Sequence, residues 1–110
     1  MGKKTKKAKE ETLVLKLMVN DTFKNGNDFM EENKPYIMMG VLESFKRLKD
    51  PENKEVILRI VGNQRQDDFI FSRNDADAVL KKDLIPYFIE KEEYELCKEA
   101  NDLYNELMFN

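Results

Sequence analysis

At 110 residues, with 41% hydrophobic and 37% charged side chains, the chain is too apolar for intrinsic disorder and long enough for one core, not two. A single cysteine excludes an intrachain disulfide, and the absence of histidine excludes Cys-His and Ser-His dyads, histidine zinc sites and histidine pH switching. The net charge of −3 hides an asymmetry, because residues 1–9 hold five lysines and no acid while the rest of the chain sets 14 basic residues against 22 acidic ones. Residues 75–110 alone stand at −6.

In chain order, residues 1–9 read as a basic arm with nothing apolar to anchor it, and residues 10–110 as one globular domain. Thr12 to Val19 places Leu13, Leu15, Leu17 and Val19 on one face by alternation, which favours a strand over the helical stripe that Leu13, Val14, Leu17 and Met18 would also permit. Asn27 or Asp28 is expected to cap a short helical turn ending at Glu32, with Pro35 opening a second, longer helix that runs to about Lys49. Ile37, Met38, Val41, Leu42, Phe45 and Leu48 form its apolar face, and Asp50-Pro51 ends it. Gly40 inside this helix costs up to about 1 kcal/mol relative to alanine, so close packing or a partner's backbone has to justify it.

From Glu55 the period changes to two. Val56, Leu58 and Ile60 share one face, with Ile57, Arg59 and Val61 on the other; a polar loop over residues 62–67 and the run Phe69-Ile70-Phe71 complete a β-hairpin. Ser72 or Asn74 then caps a helix with Ala76, Val79, Leu80, Leu84 and Ile85 inward, which Pro86 kinks or breaks. From Ile89 to Met108, Leu96, Cys97, Ala100, Leu103, Tyr104 and Leu107 recur at helical spacing, and Cys97 is expected in the core. The fold class that follows is α+β: a two- or three-stranded sheet covered by helices in β-α-β-β-α-α order, or a mainly α protein with one β-hairpin if the first segment is helical.

No motif announces chemistry. Asp67-Asp68 and Asp75 with Asp77 lack the DxDxDG pattern of a calcium loop, the glycines form no phosphate-binding loop, and no metal or cofactor is expected. No apolar run approaches the roughly 18 residues of a membrane span, and no signal-type segment follows the lysines, so the expected location is the cytoplasm, without a membrane partner.

The leading expectation is a non-enzymatic protein-binding module, a small regulator, assembly factor or inhibitor, which also allows self-association. Its interface candidates are Phe29, Met30, Tyr36, Met38, Met39, Tyr87, Phe88 and Tyr94, adaptable or aromatic side chains beyond what one core obviously needs, together with the acidic final helix. The acidic carboxyl third would also suit competition for a basic groove. Abundant Lys, Asn, Ile, Phe and Glu suit an AT-rich genome, as in phages and mobile elements. The alternative is weak nucleic-acid binding through Lys3, Lys4, Lys6, Lys7 and Lys9 with the hairpin-region arginines Arg59, Arg65 and Arg73, opposed by the −8 charge of the body.

Overall fold

The computed structural model describes residues 12–19 and 26–109, with side chains described at 12–19 and 31–109. Its elements are β1 (Leu13–Met18), α1 (Gly26–Arg47), β2 (Glu55–Val61), β3 (Gln66–Ser72), a 3₁₀ turn (Arg73–Asp75), a π-helical segment (Asp77–Leu84), α2 (Ile85–Glu90) and α3 (Tyr94–Phe109). This is the α+β order expected, with the first segment a strand. The basic arm at residues 1–9 lies outside the described residues.

The sheet has strand order β1-β2-β3, with β1 parallel to β2 and β2 antiparallel to β3. A parallel pair needs a long crossover, and α1 supplies it. The hairpin closes tightly, the Gly62 N–H donating to the Arg65 carbonyl at 2.8 Å. Register places Leu13–Val56–Phe71 and Leu15–Leu58–Phe69 in rows on the same face, as period two demands. Val56, Leu58 and Phe71 are buried there, and the helices cover that face.

α1 lies on the sheet through Ile37, Val41, Leu42, Phe45 and Leu48, all buried, with the Phe45 and Phe71 rings 5.2 Å apart. The close packing that justifies Gly40 is against the sheet: a Cβ there would lie 3.1 and 3.2 Å from the two methyls of Leu58, which is 1% exposed. Pro35 is inside this helix and does not open a second one, and the chain is already helical at Asn27 and Asp28. Glu31, Glu32, Pro35 and Tyr36 are all exposed, so the carbonyl that Pro35 leaves without a donor is on a side of the helix where water can satisfy it. The helix ends where the Leu48, Lys49 and Asp50 N–H groups turn to carbonyls three residues back and the Asn53 amide donates to the Arg47 carbonyl at 2.9 Å.

The carboxyl half packs beside α1. Asp75 accepts the Ser72 N–H at 2.8 Å, which makes Ser72 the cap of the turn that follows. The eight-residue segment after it is π-helical, closing with the Ile85 N–H on the Leu80 carbonyl, and the register returns to α at Pro86. Pro86 has no N–H to give to either ladder, so the change of register falls where no hydrogen bond is lost. The final helix begins at Tyr94 and not at Ile89, because α2 terminates in a full Schellman motif. Glu92 is left-handed at φ 59, its N–H donates to the Ile89 carbonyl at 3.0 Å, and the Glu93 N–H donates to the Phe88 carbonyl at 2.8 Å. Ala100, Leu103 and Tyr104 then bury the inner face of α3, with Leu96, Cys97 and Leu107 half-buried beside them.

Gly40→Ala gains about 1 kcal/mol of helix propensity and loses a similar amount to crowding at Leu58, so its urea midpoint stays close to that of the wild type. Gly40→Val forces α1 off the sheet and costs roughly 1–3 kcal/mol. At the Schellman position, Glu92→Gly relieves a left-handed conformation that disfavours a Cβ by about 1 kcal/mol, and chemical denaturation should register that gain.

Candidate functional site

A concavity of about 540 Å³ opens between α1 and the π segment. Its floor is apolar, built from Phe69 and Phe71 of β3, Ile37, Met38 and Val41 of α1, and Val79 and Leu84 of the π segment. The charged residues Lys34, Lys82, Asp83 and Glu90 line it as well, mixing both signs. The groove lies where α1, the π segment and the start of α2 meet beside β3, an edge strand of the sheet. A π-helical run along one wall is itself unusual, since such geometry costs regular hydrogen bonding and concentrates at functional sites.

Tyr87 closes one end. The ammonium groups of Lys34 and Lys91 lie 5.5 and 5.8 Å from its ring centroid, within cation–π range. Burial pushes its hydroxyl above the ordinary tyrosine range, and the nearby carboxylates of Glu90, Glu93 and Glu31 add to the shift, so the phenol stays protonated. Tyr87 also lines a second hollow of about 380 Å³ with Pro35, Met39, Phe88 and Leu96.

The interface candidates divide. Met38 is half-buried in the groove and Tyr87 closes it. Tyr36 and Met39, 65% and 38% exposed, face a third hollow of about 290 Å³ beside β1. Tyr94 is exposed at the start of α3. Phe88 is a correction: at 2% exposure it is a core residue, reaching only the bottom of the second hollow. The backbone of Phe29 and Met30 is in the first turns of α1, and their side chains lie outside the described residues.

The arginines do not gather. Arg59 makes a bidentate pair with Asp68, both contacts at 2.9 Å; Arg65 pairs with Asp67 at 3.1 Å; Arg73 donates to the Asp50 carbonyl at 3.1 Å, beyond the far end of β3. Arg59 and Arg65 are therefore neutralised by their neighbours. Lys3, Lys4, Lys6, Lys7 and Lys9 lie outside the described residues.

The acidic residues also have structural partners. Glu99 and Glu43 both pair with Lys46, Glu106 reaches Lys49 at 3.5 Å, and Lys98 bridges to Asp102 at 2.9 Å, so part of the acidity of α3 fastens it to α1. Asp77 accepts the Tyr104 hydroxyl at 2.9 Å, with the Lys81 ammonium 5.5 Å from the Tyr104 ring centroid. Among the described residues no three carboxylate or thiol groups come close enough together to hold a metal ion, and no helix is long and apolar enough to cross a membrane.

What the sequence reading missed is the groove itself, with Phe69, Val79, Lys82 and Pro86, and the apolar content of the outer sheet face at Val14, Met18 and Ile70. The second had a signal, aliphatic residues on both faces of a period-two strand. The first had none, because it joins residues of α1 to residues of β3, the π segment and α2 much further along the chain. The chain matches no known protein family, no curated protein and no solved structure, so a functional reading has to rest on its own geometry.

The Asp77–Tyr104 contact sets a pH dependence. The tyrosine hydrogen bond, with Lys82 and Lys81 nearby, holds the Asp77 carboxyl below its ordinary range, and the same bond raises the Tyr104 hydroxyl. A depressed carboxyl contributes stability above its unfolded pKa of about 3.9 and loses it as pH falls through the folded value; a raised phenol contributes below about 10 and loses it as pH rises. Tyr104→Phe therefore lowers the urea midpoint by a constant amount between pH 5 and 8, and the difference from wild type closes below about pH 4.

Proposed function

We propose that this chain is a non-enzymatic protein-binding module that takes an apolar segment of a partner protein into the groove between α1 and the π segment. The observation that carries the reading is an open concavity of about 540 Å³ with an aromatic and aliphatic floor and charged residues of both signs around it. Small-molecule sites enclose most of their ligand, whereas a groove open along its length suits a chain segment laid across it, with two or three side chains dipping inward. Met38 is an adaptable lining for such anchors. Lys34, Lys82, Asp83 and Glu90 supply the polar rim that would orient the segment and discriminate among partners.

Other features of the surface favour this reading over the nucleic-acid one. The hairpin arginines that would have met phosphate are paired to Asp67 and Asp68 or hydrogen-bonded to backbone, and stacking aromatics are not interleaved with them, since Phe69 and Phe71 line the groove.

The reading is tested by affinity capture from the native host with tagged wild type, followed by measurement of the captured protein's affinity for purified variants. Met38→Glu, shown folded by circular dichroism, is expected to weaken binding at least tenfold, as for a central anchor, and Lys82→Glu on the rim to change it several-fold with a strong salt dependence. Undiminished binding by both variants removes the groove from consideration. Retardation of DNA or RNA that disappears on deletion of residues 1–9 would favour the nucleic-acid reading instead.

A further inference from the structure

The face of the sheet turned away from α1 carries three rows across the strands: Val14–Ile57–Ile70, Lys16–Arg59–Asp68 and Met18–Val61–Gln66. Val14, Met18 and Ile70 are 36%, 70% and 59% exposed, while Ile57 and Val61 on the central strand are half-buried. A solvated antiparallel or mixed sheet ordinarily shows polar residues on its open side. Here two of the three rows are mainly aliphatic and the charged row lies between them.

We propose that this face is where two copies of the chain associate, sheet on sheet, about a two-fold axis running along β2. The charges select both the partner and the axis. A face-to-face homodimer places its two-fold in the plane between the sheets, either along the strands or across them. An axis across the strands lays β1 over the partner's β1 and β3 over the partner's β3, bringing Lys16 to the partner's Lys16 and Asp68 to the partner's Asp68. An axis along β2 lays β1 over the partner's β3. Lys16 then meets the partner's Asp68, twice by symmetry, and Val14 meets the partner's Ile70.

Arg59 lies on this axis, but its guanidinium is held on Asp68 by two contacts of 2.9 Å, so the two copies of the side chain lean towards opposite edges. Lys16 is exposed and makes no ion pair among the described residues. Glu55 also falls on the axis, at the exposed end of β2, where water and salt screen its meeting with the partner's Glu55. The row is thus complementary to itself at its two ends, where Lys16 is set over the partner's Asp68, a carboxylate that also holds its own Arg59.

The face is three strands wide and six residues long, about 14 by 20 Å or roughly 280 Å² per copy, well under the about 800 Å² per partner of a standard interface. The dimer is accordingly weak and concentration-dependent. It uses the side opposite the groove, so it leaves both grooves open, and it stands or falls independently of the groove reading.

Sedimentation equilibrium of the full chain from about 10 µM to about 1 mM tests the proposal over the range expected for so small an interface. Wild type is expected to dimerise, and Ile70→Lys, a change at an exposed site, to remain monomeric. Lys16→Glu sets a carboxylate against the partner's Asp68 and weakens dimerisation at least tenfold. Asp68→Lys does the same with opposite sign, and an equimolar mixture of these two variants associates as a heterodimer better than either alone. A wild-type monomer throughout this range overturns the proposal, as does dimerisation of Ile70→Lys at wild-type strength. A mixture no stronger than its components overturns the axis along β2. If Asp68→Lys does not fold, Lys16→Glu alone decides, since undiminished association of that variant excludes the charge pairing.

Discussion

The close seating of α1 on the sheet at Gly40 is the constraint on which the rest of the molecule depends. A three-stranded sheet is not stable without cover on at least one face, and α1 supplies it by bringing its backbone within a methyl's width of Leu58. The same helix is the crossover that makes β1 and β2 parallel, and it contacts all three strands, the π segment and α3. Because one face is committed to α1 and the helices beside it, the other is left to solvent with its aliphatic rows. Where α1, the π segment and the start of α2 meet beside β3, the groove appears at the edge of the covered face. Both candidate surfaces are consequences of a single packing arrangement.

Electrostatics in this chain largely serves architecture. The strongly acidic carboxyl third, which in the sequence suggests competition for a basic site, is partly consumed by Lys46 and Lys49 at the end of α1. Arg59 and Arg65 are matched to acids in their own hairpin. Exposed ion pairs of this kind are each worth little, but they cancel local fields in the hairpin and between α1 and α3.

Two prolines show how context settles the meaning of a residue. Pro35 sits in the middle of a 22-residue helix without ending it, because it faces solvent. Pro86 marks the place where a π-helical run reverts to α, and the widened turn before it forms one wall of the groove. The left-handed Glu92 likewise ends α2 with a glycine's geometry and no glycine to announce it.

By itself the sequence determined the α+β class, the period-two segments that became strands, the inward face of α3 and the absence of histidine chemistry, because these depend on residue type and local spacing alone. It also named Met38, Tyr36, Met39 and Tyr94 as side chains at or near the surface. It could not give the helix boundaries at Pro35 and Glu92, since solvent exposure and a hydrogen-bond pattern decided those. Phe88 was read as surface and is core, because a run such as Tyr87-Phe88-Ile89 does not state which member turns inward. Only the tertiary structure joined Met38, Phe69 and Val79 in one groove and placed Lys16, Arg59 and Asp68 in one row. Those juxtapositions arise from strand register and from the path of α1, which relate residues far apart in the chain and leave no local trace in it.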